Sequence, residues 1–234
     1  MQSRRVLAVA TSVGEYKKVG YRTGLWLSEL THFWDVLTEA GYEIDLATPM
    51  GGDVPLDPEG LTPITLAGST RKHYQDRAFM DHLRDTRNLD DVVADDYDAI
   101  YLTGGHGTMF DFAVDERLAE LVGEVAQAQR VVSAVCHGPA GLLNAKVDGQ
   151  PLLAGKNVTG FSMLEEKLAQ RADAIPFSLE DRLRDAGATY EKAPLPMTPH
   201  VVTDGRLVTG QNPVSAKAVG RAVVELLQGN HDGK

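Results

Sequence analysis

The chain has 234 residues, of which 43% are hydrophobic and 24% are charged, and its formal net charge is −10. This composition is typical of a soluble globular protein and argues against a disordered, collagen-like or coiled-coil chain. The acidic balance and the lack of a Lys/Arg cluster disfavour a nucleic-acid partner, and no apolar run is long enough to predict a membrane partner.

Apolar, strand-like segments alternate with segments of helical periodicity along the chain. The predicted strands are residues 5–10, 42–48, 99–103, 131–135 and 157–161, followed by a hairpin over 201–208 with a tight turn at Asp204–Gly205. The predicted helices are residues 23–40, 73–84, 115–129, a short one ending at 143, 164–170, 179–186, and a C-terminal helix capped by Asn212 with Pro213 at its first position. This alternation predicts an α/β fold: a three-layer sandwich whose mostly parallel, flavodoxin-like central sheet is flanked by helices.

We interpret residues 1–234 as a single domain, because one domain is favoured at this length. Residues 53–96 are polar and irregular, and we expect them to form an insertion that covers one edge of the sheet. The first apolar segment breaks at Thr11 and Ser12, too early for a signal peptide, which predicts a cytoplasmic protein. Cys136 is the one cysteine, so neither an intramolecular disulfide nor a cysteine-type zinc site is expected.

Ligands of parallel sheets bind at the carboxyl ends of the strands, and the most informative of these ends is at Cys136. The strand 131–135 stops at this cysteine, and Gly138 and Pro139 turn the chain at once into a helix, which is the pattern of a nucleophile elbow. A helix N-terminus behind the sulfur is expected to lower the pKa of the thiol. The alternative is a small buried side chain without chemistry, since free cysteines are often buried.

His137 directly follows the cysteine and is a candidate base for its thiol. Such a base needs a carboxylate that orients it, and Glu165 and Glu166 lie just past the strand 157–161, on the same edge of the sheet. The spacing alone does not choose between this role and two surface glutamates at a helix start, where acidic residues are favoured.

Glu29 lies in the first helix beside an apolar stripe that includes Trp26, Leu30 and Phe33. It is either a solvated flank of the helix or a buried acid with a raised pKa, and the sequence leaves both interpretations open.

The segment 104–107 (GGHG) directly follows the strand 99–103. Glycines let backbone amides approach a ligand closely, so these amides and that of His137 form a candidate oxyanion hole. The fingerprints of dinucleotide- and phosphate-binding loops are missing, and we expect no cofactor. The histidines show no metal-binding spacing, so no metal site is expected, although the sequence leaves open whether His106 binds a metal.

Six segments, in order along nearly the whole chain, resemble the DJ-1/PfpI superfamily, which has the class I glutamine amidotransferase-like fold. They are GLWLSE (24–29), ATPMGG (47–52), YDAIYLTGGHG (97–107), AVCHGP (134–139), VTGF (158–161) with Glu166, and LVTGQNP (207–213). Within the superfamily, the chain is most similar to the branch of heat-shock chaperones and glutathione-independent glyoxalases (glyoxalase III).

The resemblance implies that Cys136 is the nucleophile, that His137 is the histidine of a catalytic triad, and that Glu166 is its acidic member. Glu165 is the less favoured choice for that third position. The resemblance also implies that Glu29 is the buried acid that contacts the thiol.

The oxyanion hole implied by the resemblance consists of the amides of Gly105 and His137. The implied activity is that of a glyoxalase III-like lyase, which converts methylglyoxal to lactate through the Cys136 thiolate, without glutathione or another cofactor. The same chemistry on glycated side chains would be a deglycase activity. The alternatives are a cysteine peptidase or amidase, and a holdase chaperone or redox-stress sensor. Members of the superfamily are commonly dimers, so we expect a homodimer.

Overall fold

The structure, a computed structural model, describes residues 4–229. Its strands are β1 (Arg5–Val9), β2 (Glu43–Thr48), β3 (Arg87–Asn88), β4 (Ala99–Leu102), β5 (Val131–Val135), β6 (Lys146–Val147), β7 (Gln150–Pro151), β8 (Asn157–Val158), β9 (Thr189–Tyr190), β10 (Val201–Asp204) and β11 (Leu207–Gly210). Its α-helices are α1 (Leu27–Glu39), α2 (Gly68–Gln75), α3 (Arg77–His82), α4 (Thr108–Asp111), α5 (Glu116–Gln127), α6 (Met163–Leu168), α7 (Leu179–Asp185) and α8 (Ala216–Gly229). None of these helices is long and apolar enough to cross a membrane.

The central sheet has seven strands in the order β10-β11-β5-β4-β1-β2-β3. β10 runs antiparallel to β11, and all other neighbours are parallel. Apart from the short edge strands β3 and β10, the strand order is that of a flavodoxin-like sheet: from β1, the chain first adds β2 on one side and then β4, β5 and β11 on the other. The predicted α/β fold with a mostly parallel sheet is therefore confirmed.

Successive side chains of the central strands enter two different cores, one on each face of the sheet. On β1, Leu7 and Val9 pack into the core covered by α5, whereas Val6 and Ala8 pack into the core covered by α1 and α8. This separation follows from the two-residue period of a strand, which points alternate side chains to opposite faces. Both faces are buried, so the strands are apolar throughout and the site can form only at their ends.

The first helix begins at Leu27, later than the predicted start at residue 23. Gly24 has a φ of +149°, which a helix does not allow, and the amide of Leu25 donates to the carbonyl of Pro55. The apolar pattern before Leu27 is therefore that of an extended segment bonded to another loop.

Two further boundaries differ from the prediction. The predicted helix 73–84 is two helices, because Asp76 is extended and its carboxylate caps α3. Asn212 makes no side-chain cap to the last helix, whose first turn is a 3-10 turn over Pro213–Ser215. The Asn212 amide donates instead to the carboxylate of Glu165.

The predicted strand 157–161 is largely wrong. Its first two residues form β8, which pairs with β9 outside the central sheet. The amide of Thr159 donates to the hydroxyl of Thr209, and the amide of Phe161 donates to the carbonyl of Cys136. The segment thus crosses the carboxyl ends of β11 and β5 and brings α6 over the elbow.

Candidate active site

Cys136 follows β5 with a φ of +59°, in the left-handed region that non-glycine residues rarely adopt. Its amide donates to the carbonyl of Gly210, and its carbonyl accepts from the amide of Phe161. The chain can turn behind it because Gly138 has no side chain: a Cβ there would lie 2.3 Å from the carbonyl oxygen of Leu102. A strained turn held by its surroundings presents the thiol above the sheet, as a nucleophile elbow does.

The side chains of Cys136, His137 and Glu166 form a hydrogen-bonded chain. The Cys136 Sγ lies 3.3 Å from Nδ1 of His137, and Nε2 of His137 lies 2.7 Å from Oε1 of Glu166. Because the carboxylate accepts, Nε2 carries the ring proton, and Nδ1 has a lone pair free to take the proton of the thiol. The structure therefore brings together the three residues of the implied triad.

Glu166 also accepts a hydrogen bond from His106, whose Nε2 lies 3.0 Å from Oε2. The two imidazole rings are 4.1 Å apart between centroids. Burial pushes the pKa of Glu166 up, but its electrostatic attraction to His137 and His106 and the hydrogen bonds from both rings outweigh burial and lower the pKa to about 2. A hydrogen bond from His106 to Glu166 was not predicted from the sequence, and its one signal is the position of His106 within the glycine-rich segment 104–107.

Glu165 serves a different part of the site, and its hydrogen-bond partners among residues 4–229 do not include His137. Its buried carboxylate accepts from the amide and hydroxyl of Ser162, the amide of Met197, and the side-chain amides of Gln211 and Asn212. Burial pushes its pKa up, but these donors lower it below the ordinary value. Glu165 therefore joins three loops around the elbow.

Glu29 is fully buried, so the structure selects the buried acid over the solvated flank. Its carboxyl group lies against Gly104 and faces the thiol of Cys136, although neither oxygen meets the geometry of an ordinary hydrogen bond. Burial raises the pKa of Glu29 to about 8, and contacts with Cys136 and the amide of Gly104 only partly oppose that shift. Near neutral pH, Glu29 is therefore mostly protonated.

The expectation of a low thiol pKa is wrong for this arrangement. Burial and the neighbouring Glu29 carboxyl raise the pKa of the Cys136 thiol well above its ordinary value. The chain after the cysteine forms only a five-residue 3-10 turn, Gly138–Leu142, so its dipole is weak. A thiol with a raised pKa needs a base to take its proton before it can act as a nucleophile.

Gly105 and His137, the two residues of the expected oxyanion hole, line the same pocket as Cys136. Gly105 has a φ of +102°, and a Cβ there would lie 2.0 Å from the carbonyl oxygen of Gly24, so only glycine fits. Neither amide donates to a protein acceptor within residues 4–229. Two free donors next to a nucleophile are what an oxyanion hole requires.

Cys136 opens into a pocket of about 210 Å³. His106 and His137 line its polar side, and its predominantly apolar wall includes Trp26, Phe161, Leu168, Met197 and Pro213. A larger depression of about 300 Å³ at the opposite end of β5 contains neither the thiol nor the histidines, so the chemistry belongs to the smaller pocket.

Three groups of the site are potential metal ligands. The ligand atoms of His106, His137 and Glu166 all lie within 4.8 Å of one another. Both Nε2 atoms donate protons to the carboxylate, so a metal ion would have to displace two protons and the hydrogen bonds that orient His137. The observed hydrogen bonding favours a triad over a metal centre, and the expected absence of a metal stays a prediction.

A flavodoxin-like sheet with a cysteine elbow, an adjacent histidine and a buried carboxylate defines a class of α/β proteins with a nucleophilic thiol. The sequence model of the DJ-1/PfpI family matches residues 22–226. The chain therefore belongs to the DJ-1/PfpI family.

Several relatives match over almost their whole length. Glyoxalase 3 of Candida albicans is 33% identical, with 97% of this chain and 99% of the relative covered, and the glutathione-independent glyoxalase HSP31 of Saccharomyces cerevisiae is 31% identical, with 97% and 100% covered. The X-ray structure of Rapid Encystment Protein from Francisella tularensis has a TM-score of 0.91 at 38% identity, covering 95% of this chain and 98% of that one. The crystal structure of glyoxalase III from Candida albicans has a TM-score of 0.86 at 32% identity, covering 95% and 96%.

Proposed function

We propose that the protein is a glutathione-independent glyoxalase, which converts methylglyoxal and water to lactate with Cys136 as nucleophile. The observation that carries this proposal is a thiol with an oriented base, His137, at the end of a small and mostly apolar pocket. A pocket of this size fits a three-carbon 2-oxoaldehyde. The names of the relatives from Candida albicans and Saccharomyces cerevisiae support the same activity.

In the first step, Sγ of Cys136 attacks the aldehyde carbon, and Nδ1 of His137 takes the thiol proton. The new oxyanion is held by the amides of Gly105 and His137 and then receives that proton, which gives a hemithioacetal. Protonated Glu29 packs beside Cys136 without lining the pocket, and it donates to the developing negative charge on the sulfur.

In the second step, a base removes the hydrogen on the former aldehyde carbon, and a proton is added to the neighbouring ketone carbon through an enediol. The product is a lactoyl thioester. His137 lines the pocket whereas Glu29 does not, which favours His137 over Glu29 for this transfer. Water then hydrolyses the thioester, releasing lactate and restoring the thiol, so that the net reaction consumes one water and no reductant or oxidant.

The test is to follow the reaction of the metal-free, EDTA-treated protein with methylglyoxal in D2O by proton NMR, without glutathione. An enediol route incorporates solvent deuterium at the lactate C2 position, whereas an internal hydride shift retains the aldehyde hydrogen there. The chirality of the lactate reports which face of the enediol is protonated. Lactate formation that is absent in the native chain, or equal in Cys136→Ser, would overturn the proposal.

A cysteine hydrolase is the second candidate, because the order Cys136–His137–Glu166 is that of a triad for acyl transfer. Its test is turnover of chromogenic amides and small peptides beside methylglyoxal at equal protein concentration. A holdase activity is the third, because Leu168 and Met197 at the rim of the pocket are 59% and 47% exposed. Holding of an unfolded client would persist in Cys136→Ala, whereas aldehyde conversion would not.

We also propose that the protein acts as a cytoplasmic homodimer. The free Cys136 fits a reducing compartment, and the family resemblance supports the dimer. Light scattering coupled to size-exclusion chromatography tests the dimer, and fractionation of the source cells tests the compartment.

A further inference from the structure

The proposed reaction assigns no role to His106, yet His106 donates a hydrogen bond to one of the two carboxylate oxygens of Glu166. Each oxygen of Glu166 accepts from a different imidazole: Oε1 from His137 and Oε2 from His106. The side chains of His106 and Glu166 are only 7% and 2% exposed, so water does not readily replace this donor.

The backbone that carries His106 is held tightly on both sides. A Cβ on Gly105 would lie 2.0 Å from the carbonyl oxygen of Gly24, and a Cβ on Gly107 would lie 2.5 Å from that of Val13. This close packing fixes the direction of the histidine between them. A rigidly placed donor is what a fixed carboxylate orientation needs.

Loss of this donor would have a defined consequence for the triad. A buried carboxylate oxygen without a donor is costly, so Glu166 would rotate or take up a proton. A protonated Glu166 donates to Nε2 of His137, which moves the ring proton to Nδ1. Nδ1 then no longer accepts the proton of the Cys136 thiol.

We propose that His106 is a positioning residue: it donates to Oε2 of Glu166, which keeps that carboxylate ionised and oriented so that His137 can act as the base for Cys136. This role can be tested by turnover of the aldehyde, which rests on the proposed glyoxalase function, and by alkylation of the Cys136 thiol, which does not.

The charged groups around His106 are consistent with a neutral imidazole that donates a hydrogen bond to Glu166. Burial lowers the pKa of His106, as does the charge of His137, and together they outweigh the opposing effect of Glu166 and Asp57. Asp57 faces His106 from the loop before α2, and burial raises the pKa of that carboxyl. On the side of the thiol, the facing acids are Glu29, Glu165 and Glu166.

The experiment compares His106→Ala with His106→Gln, because the glutamine amide can place a donor near the position of Nε2. The matched control is His73→Ala, which removes an imidazole bonded to a carboxylate, that of Asp35 at 2.6 Å, away from the pocket. Two readouts are taken against pH: lactate formation, and alkylation of the thiol by iodoacetamide, which is specific because Cys136 is the one cysteine.

In His106→Ala we expect kcat at pH 6 to fall about tenfold or more with a smaller change in KM, because one charge-assisted hydrogen bond is lost. The acid limb of the kcat profile and the alkylation profile should both move to higher pH. His106→Gln should restore both, and His73→Ala should match the native protein. The proposal is overturned if His106→Ala keeps the native profiles, or if both variants lose activity equally without a shift in the alkylation profile. A chain without aldehyde activity would fail the proposed function, while its alkylation profile would still decide the role of His106.

Discussion

Gly104 lies so close to Glu29 that a Cβ added to the glycine would be 2.4 Å from Oε2 of the carboxyl group. The same Cβ would be 2.8 Å from the Cβ of Cys136. The carboxyl and the thiol are therefore packed against one another around a position that has no side chain. The buried acid and the nucleophile can meet only because this residue is a glycine.

Gly104→Ala should consequently remove activity and destabilise the fold. Overpacking of a filled core costs about 1–3 kcal/mol, and the contacts here include backbone that cannot move aside. Thermal unfolding and lactate formation measure the two effects. Gly229→Ala is the control, since nothing lies within 4 Å of its Cβ position. Native-like turnover in Gly104→Ala would show that Glu29 does not need to face the thiol.

Cys136→Ser should lose activity by orders of magnitude and keep the fold, because the change in volume is small. The serine hydroxyl is a much weaker nucleophile than a thiol with the same base. Single-turnover assays and circular dichroism are the measurements. A serine variant within about tenfold of native turnover would rule out the covalent mechanism.

Glu29→Gln should make the protein more stable at alkaline pH. The folded-state pKa of Glu29 is raised from 4.5 to about 8, so folding binds a proton, and the contribution of this carboxyl to stability is lost as pH rises from about 4.5 to 8. Glutamine does not ionise, so the gain over the native chain at pH 9 should be on the order of 4 kcal/mol and should vanish below pH 4.5. Urea unfolding of the native chain and of Glu29→Gln, at pH 9 and below pH 4.5, measures this difference in stability. An equal effect of the substitution at both would show that Glu29 does not titrate with a raised pKa.

The same substitution should separate thiol ionisation from turnover. The Glu29 carboxylate raises the pKa of Cys136, so Glu29→Gln should lower the pH at which the thiol ionises, as seen by thiolate absorbance with Cys136→Ala as the blank. Turnover should nevertheless fall, by about tenfold or more, because the amide of glutamine is a weaker hydrogen-bond donor to the developing charge on sulfur than the protonated carboxyl. A thiol pKa that does not fall in Glu29→Gln would show that the Glu29 carboxyl is not ionised when the Cys136 thiol titrates.

Glu166→Gln should mainly reduce activity, whereas Glu165→Gln should mainly reduce stability. In Glu166→Gln the amide NH2 group faces the N–H donor of either His137 or His106, so one of the two hydrogen bonds is lost. Activity should therefore fall about 10²-fold or more, with little loss of stability. Glu165 accepts from several donors that join loops, so Glu165→Gln should mainly lower the unfolding temperature, by several degrees. If Glu165→Gln abolished activity at native stability, the carboxylate that orients His137 would have been assigned incorrectly.

Cys136 shows what could be predicted from the sequence. A β-branched strand that stops at a cysteine and continues into Gly138 and Pro139 is a local pattern, and the resulting turn has the expected geometry, with a φ of +59°. The predicted strand 157–161 failed because side-chain and crossing hydrogen bonds, which leave no periodicity in the sequence, replace a ladder there.

The sequence by itself determined the alternation of strands and helices, the position of the candidate nucleophile and the presence of two candidate glutamates. These features depend on residues close together in the chain, where periodicity and turn chemistry act. Only the tertiary structure decided that Glu166 rather than Glu165 contacts His137, that His106 shares that carboxylate, and that burial raises the pKa of Cys136. Each of these outcomes is set by distances between loops far apart in the sequence and by exclusion of water from the space they enclose, and a pattern of neighbouring residues contains neither quantity.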